Sequence, residues 1–412
     1  MKKWIAGIVI VLLAGAGIVW VSLDDDQRAL LANMPTDRDV LFWDVDTRNA
    51  AFRVLDDFPA LAEARVIEAG DATHPLPEGE ALDLPGFDMD AFMESQNAAA
   101  VVVVHDGEIV LERYGLGFDA QGKWTSFSVA KSLTSTLVGA ALRDGHIDSL
   151  DDPVSKYLPD MRGSAYDDVT IRQLLTMSSG VRWNEDYYDP ESDVARFSEH
   201  EPEEGVDALV DYMRRLPREA EPGTRWQYNT GETNLIGVLV REATGETLAD
   251  YLSEKVWKPF GMQRDASWIL SSSGSEISGC CIQAATRDMA RFGLFALGGG
   301  MADGKRVVPE GWFKEATTPA FETGRFDRGY GYQWWTYPGR AYAASGLFGQ
   351  GIFVDPERNL VIATNSNWRQ STGNDGTGME RNRFYAAVQA AVDARLGGNG
   401  VRIGEPAEPM VR

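Results

Sequence analysis

The sequence predicts an α/β chain of the α+β kind: an antiparallel sheet built from both ends of the folded region, flanked by helices, with a mostly helical insert between. Three observations predict it. Ala98–His105 and Glu108–Tyr114 are β-prone runs joined by Asp106-Gly107, a strong hairpin signal. The middle of the chain carries apolar residues at helical spacing over residues 171–177, 206–215, 233–244, 248–257 and 287–297. Strand-like runs return at 331–337, 351–354 and 360–365, before a last helix over about 380–396.

Taken in chain order, Lys2 and Lys3 come first, ahead of an apolar run over residues 4–23 that is closed by Asp24, Asp25 and Asp26. About twenty apolar residues suffice to span a bilayer as a helix, and leading lysines place that end in the cytoplasm. Residues 1–26 are therefore read as an inner-membrane anchor, with the body of the protein exported to the periplasm. A cleaved signal peptide, followed by secretion, is the rival reading. Its apolar region is ordinarily shorter and ends in a small-x-small site, which Val-Trp-Val-Ser-Leu-Asp fits poorly. Residues 27–95, Pro-rich towards their end (Pro75, Pro77, Pro85), read as a connecting and wrapping segment. Residues 96–397 form the main domain, with the helical insert over about 145–285 and a tail over 398–412. Within it a helix is expected from about Ser128 to Arg143, with an apolar stripe of Leu133, Leu137, Ala140 and Ala141 and a stop at Gly145.

Bulk properties exclude several functions. With 412 residues, 44% apolar and 25% charged, the chain can bury a large core and is not disordered by composition. A net charge of −23 repels phosphate backbones, so nucleic acid is excluded as a partner. The two cysteines, Cys280 and Cys281, are adjacent, a spacing that disfavours a mutual disulfide, and they read as small apolar packing residues. Two cysteines and four histidines without ligand spacing give no metal site, and no cofactor is implied.

The candidate chemistry starts at Ser128-Val129-Ala130-Lys131. On a helix, residues i and i+3 share a face, so the lysine can take the serine's proton once burial has removed its own charge. The helix start also offers free N–H groups to a developing oxyanion. The bland alternative is a capping serine and a solvated lysine, and about half such a match arises by chance in a chain of this composition. Position strengthens the pattern: it opens a helix directly after a hairpin. Tyr228, ahead of another helix, is a candidate proton relay beside a cationic lysine. Packing against Trp226 is its commoner fate.

The order of these pieces resembles the serine β-lactamase and penicillin-binding protein superfamily over about residues 98–396. Phe127-Ser128-Val129-Ala130-Lys131-Ser132 is similar to its nucleophile box. Leu174-Leu175-Thr176-Met177-Ser178-Ser179-Gly180, Tyr228, Leu235-Ile236-Gly237 and Pro259-Phe260-Gly261-Met262 follow in the family's order. Within it the chain most resembles the class C-like branch, with its 6-aminohexanoate-dimer hydrolases and family VIII carboxylesterases. That likeness rests on 184–190 as a lid loop, Ser278-Gly279-Cys280-Cys281, Arg287-Asp288-Met289-Ala290-Arg291, Gln333-Trp334-Trp335, Gly349-Gln350 and Asp355-Pro356. The resemblance implies a β-lactamase/transpeptidase-like fold and small ester or amide substrates. It implies Ser128 as nucleophile, Lys131 as base and Tyr228 as relay, with Leu347, Ser345, Gly346, Tyr187 and Gln350 at substrate-binding or oxyanion positions.

The sequence departs from the family in three places. The second box, ordinarily Tyr-x-Asn, reads Tyr228-Asn229-Thr230. The third box, ordinarily led by Lys or His, reads Ala344-Ser345-Gly346, without the cation that grips a substrate carboxylate. The position expected to hold a nylon oligomer's amine is Ser198, beside Glu199. Two rivals to the esterase or amidase reading therefore stand: a β-lactamase or D,D-peptidase acting on cell-wall-type substrates, and a catalytically silent protein that binds peptidoglycan or a partner.

Overall fold

The computed structural model describes residues 17, 20–22, 28, 31–37, 40–57, 61–197, 200–325 and 328–398. Most of the apolar run at 4–23 lies outside these residues, as do Ser198 and Glu199. Among the described residues no helix is long and apolar enough to cross a membrane.

The segment before the main domain is structured. Helix α1 (Val45–Ala51) is N-capped by Asp44, whose carboxylate accepts from Thr47 N at 2.8 Å. Strand β1 (Ala64–Ile67) joins a small sheet described below. The hairpin expected from Asp106-Gly107 is present: β2 (Ala98–His105) pairs with β3 (Glu108–Tyr114), and Asp106 and Gly107 both have positive φ, as a tight hairpin turn requires. A short β4 (Trp124–Thr125) leads into a 3-10 turn at Phe127–Val129 and then helix α2 (Ala130–Asp144), closed by Gly145 at φ 81°.

The insert holds α3 (Ile171–Leu175) and α4 (Thr230–Thr244), with further short helices at Ala208–Met213 and Leu248–Leu252. It is less purely helical than the periodicity suggested, because β5 (Ala266–Ile269) and β6 (Ile282–Ala284) also lie in it. These two, with β1 and β4, make a four-stranded sheet in the order β1-β5-β6-β4. Helix α5 (Thr286–Leu297) and the β7–β8 hairpin (Met301–Ala302, Lys305–Arg306) return the chain to the main sheet.

Strands β9 (Phe321–Arg325), β10 (Arg328–Tyr330), β11 (Trp335–Thr336), β12 (Tyr342–Ser345), β13 (Gly351–Asp355) and β14 (Leu360–Ser366) follow, then helix α6 (Thr377–Gly398). The main sheet is antiparallel throughout, in the order β3-β2-β14-β13-β12-β11-β10-β9. Its early and late strands meet at β2–β14, as a sheet built from both ends requires. The strand expected over 331–337 is interrupted. Gln333 sits at φ 62°, so the chain turns there and β10 folds back on β11.

Every residue of β2 is buried, which explains its unbroken apolar run. Val102 and Val104 face the core shared with α2 and α5, while Val101 and Val103 face Phe384, Val388 and Val392 of α6. Each fully buried valine contributes about 1.5–3 kcal/mol. The sheet is thus a rigid slab with helices on both faces, and the candidate site lies where α2 begins beside the end of β12.

Candidate active site

Ser128 sits in the 3-10 turn that opens α2, and Lys131 lies one helical turn on. Lys131 Nζ donates to Ser128 Oγ at 3.0 Å and to the carbonyl of Gly279 at 2.7 Å. The ammonium is also 5.3 Å from the centre of the Tyr228 ring. Lys131 is only 1% exposed, so no water replaces these contacts. Burial pulls its pKa down to about 8, against a smaller opposing pull from the Glu185 carboxylate.

The Ser278–Gly279 peptide that precedes the Gly279 carbonyl is held from two sides. Gly279 N donates to Asn234 Oδ1 at 2.7 Å from α4, and Thr134 Oγ1 of α2 donates to the Ser278 carbonyl at 2.8 Å. Sequence reasoning missed this acceptor, because a backbone carbonyl leaves no trace in residue identity. It also took Cys280 and Cys281 for unpaired packing residues. The structure corrects this: the two are joined to each other by a disulfide, with Cys281 at φ 75°.

Tyr228 precedes α4, whose N-cap is Asn229. Its ring stacks on Trp335, with centroids 5.6 Å apart and planes at 21°, and lies edge-on to Trp226 and Tyr330. Packing against Trp226 and closeness to Lys131 therefore both hold. One turn into α4, Glu232 is buried, accepting from Ser179 Oγ and from Asn229 Nδ2. Burial pushes its pKa up to about 8, and those hydrogen bonds offset only part of the rise. In the folded state it keeps a proton that an unfolded chain releases near pH 4.5. Stability from this group is complete below that pH and is lost as pH rises through about 8. Glu232→Gln, which is neutral at every pH, is therefore expected to gain relative to wild type as pH rises from 5 to 8.5. The expected gain is roughly 1 kcal/mol or more, about 2 °C in Tm, read by thermal melts across that range.

The 184–190 loop is tied to the start of α4 by a second carboxylate. Glu185 accepts from Thr230 N at 2.9 Å, from Tyr187 OH at 2.5 Å, and from Thr230 Oγ1 and Trp183 Nε1. Tyr187 is thereby pinned over α4, and burial holds its phenol well above the ordinary pKa, with the Glu185 charge adding to the shift. Tyr188 OH reaches Thr372 Oγ1 at 3.4 Å, so the loop touches the segment after β14. Glu185 was legible only as a member of the lid segment.

The Ala344-Ser345-Gly346 segment runs beside the turn that carries Ser128. Gly346 packs so closely that an added Cβ would stand 2.5 Å from the Ser126 carbonyl and 3.1 Å from Phe127 Cβ. Only glycine lets the end of β12 approach Ser128 this far. Leu347 opens the short 3-10 turn Leu347–Gly349, and the first N–H groups of such a turn have no partner within it. Ser345 Oγ is buried with no hydrogen-bond partner among the described residues. Gln350 adjoins this group through its backbone. Its side chain is buried and accepts from Ser366 N at 3.2 Å, while its carbonyl accepts from Gly346 N at 2.8 Å.

A buried lysine bonded to a serine at a helix start, beside a tyrosine ring and a close-packed glycine at a strand end, has the layout of a covalent hydrolase site. Residues 88–387 match the beta-lactamase family, and the chain belongs to it: a serine hydrolase of the β-lactamase and penicillin-binding protein superfamily. A 6-aminohexanoate-dimer hydrolase of Paenarthrobacter ureafaciens is 31% identical over 296 residues, covering 68% of this chain and 75% of its own length. Esterase EstB of Burkholderia gladioli is 30% identical over 190 residues, covering 42% of this chain and 47% of its own. A Bacillus anthracis structure named as a 6-aminohexanoate-dimer hydrolase superposes with a TM-score of 0.72 at 22% identity, covering 85% of this chain and 94% of its own. The fold is thus that of the superfamily.

Proposed function

We propose that the protein hydrolyses ester or amide bonds of small substrates through an acyl-enzyme on Ser128. The observation that carries this is the 3.0 Å contact from Lys131 Nζ to Ser128 Oγ, made by a lysine that is fully buried and held in place by Gly279. Neutral Lys131 takes the Ser128 proton as Oγ bonds to the substrate carbonyl carbon. The resulting oxyanion is received by the N–H groups of Ser128 and Leu347. The C–O or C–N bond then breaks, and the leaving group accepts the proton through Tyr228. Water attacks the acyl carbon with its proton passing back to the same pair, and Ser128 departs with its proton restored.

The hydrolases and esterase that resemble this chain support ester and amide substrates. The cation-free Ala344-Ser345-Gly346 argues against substrates held by a carboxylate, and Ala344 is itself buried in β12. Penicillins and peptidoglycan stems are therefore the weaker reading. The apolar run at residues 4–23 supports export and tethering to the inner membrane. A panel of p-nitrophenyl esters, anilides and cephalosporins, assayed on protein lacking residues 1–26, tests the substrate class. Turnover of short esters well above that of cephalosporins is expected, and the reverse order would contradict the assignment.

A further inference from the structure

Two residues of the site carry unusual backbone. Phe127, just before Ser128, has φ 43°, and Phe348, just after Leu347, has φ 56°. Bulky side chains rarely adopt this left-handed region, and each such residue costs on the order of 1–2 kcal/mol. Strain of this kind persists where surrounding structure over-determines it. Both strained residues flank an N–H assigned above to the oxyanion.

One element holds both. Phe52, immediately after α1, is fully buried. Its ring lies 5.0 Å from that of Phe127 and 5.5 Å from that of Phe348, and those two rings are 5.2 Å apart. The Phe52 carbonyl accepts from Thr125 N at 2.9 Å, three residues before the nucleophile. Arg48 of α1 is 4% exposed and sets its guanidinium 4.4 Å from the centre of the Phe348 ring. Its donors reach Asn367 Oδ1 at 2.7 Å and the carbonyls of Trp368 at 3.0 Å and Trp43. Trp368 N in turn donates to the Phe348 carbonyl at 3.1 Å. The Asn367 amide ties back to α1 through the Val45 carbonyl at 2.9 Å and Asn49 Oδ1 at 2.7 Å. A buried arginine spending its donors on carbonyls is an expensive way to fill space, since its charge must be desolvated. It is an effective way to fix several backbone segments at once.

We propose that α1, acting through Arg48 and Phe52, is a clamp that sets the spacing of the two oxyanion donors at Ser128 and Leu347. On this account residues 40–57 belong to the working site although none touches the substrate. Arg48 and Phe52 are positioning residues. The proposal rests on the reading of Ser128 and Leu347 given above.

The test compares wild type with Arg48→Met, Arg48→Lys and Phe52→Leu, using p-nitrophenyl butyrate at a temperature at which each variant is folded by circular dichroism. A second readout is the rate at which a fluorophosphonate labels Ser128, because its phosphoryl oxygen enters the same pair of N–H groups. Arg48→Met is expected to lower kcat roughly 10- to 100-fold, with KM changed less than about threefold and labelling slowed in parallel. Arg48→Lys is expected to recover part of the loss. Should Arg48→Met not fold, Phe52→Leu carries the test, with an expected loss in kcat of about tenfold. A folded variant with lower Tm but with kcat and labelling within about twofold of wild type would overturn the clamp, because purely structural support predicts that pattern. A wild-type protein that neither turns over the ester nor labels would instead overturn the reading of Ser128, and the clamp would fall with it.

Discussion

Ser128→Ala is expected to lower kcat/KM for p-nitrophenyl butyrate by at least about 10⁴-fold while leaving the melting temperature nearly unchanged. The large loss follows from chemistry: without Oγ no acyl-enzyme forms, and the two-step route reverts to direct attack by water. Residual rate above background would come from the oxyanion donors alone. The small stability effect follows from geometry. Ser128 Oγ accepts one hydrogen bond, from Lys131, and that ammonium keeps its second bond to the Gly279 carbonyl. The deletion removes only one small polar group from a site 8% exposed. Steady-state kinetics and a thermal melt on the same preparation check both halves. Ester turnover within about tenfold of wild type would place the chemistry elsewhere.

Lys131→Met is expected to cost about 10³- to 10⁴-fold in kcat, since methionine fills most of the same space but accepts no proton. Wild type should show a matching pH dependence. The base works as the neutral amine, and burial sets its pKa at about 8. Below that value kcat/KM should rise about tenfold per pH unit, and above it the profile should level. A lysine in water would not level until a pH above 10. Lys131→Met should erase this limb along with the rate. A profile flat from pH 6 to 9 in wild type would contradict lysine as the base.

The sequence revealed the parts of this account that reside in side-chain type and spacing. Asp106-Gly107 between valine-rich and mixed runs can hardly form anything but a hairpin, and β2 and β3 follow within the expected bounds. Ser128 and Lys131 could be paired because three residues on a helix bring side chains to one face. Backbone contributions were illegible. The Gly279 carbonyl that fixes Lys131 carries no residue signature, and Leu347 was marked only through the family resemblance, not by its own side chain. Positive φ at Phe127, Gln333 and Phe348 runs against what those residue types prefer, so it could not be anticipated from them. The strands of the small sheet are two to four residues long, too short for a periodic signal, and β1 and β4 meet β5 and β6 across roughly 160 to 205 residues of chain. The role of 40–57 was hidden for a related reason: its contacts with 367–369 join distant parts of the chain, and no local pattern announces them.

The central claim is that Ser128 becomes acylated. Wild-type protein mixed with p-nitrophenyl butyrate, quenched in acid within the first turnovers and analysed by intact-mass and peptide mass spectrometry, tests it directly. The account predicts a protein heavier by one butyryl group, with that group on the peptide containing Ser128 and absent from Ser128→Ala. Burst release of p-nitrophenol with the acyl group on any other residue would contradict it, as would steady turnover in which the Ser128→Ala protein accumulates the same adduct.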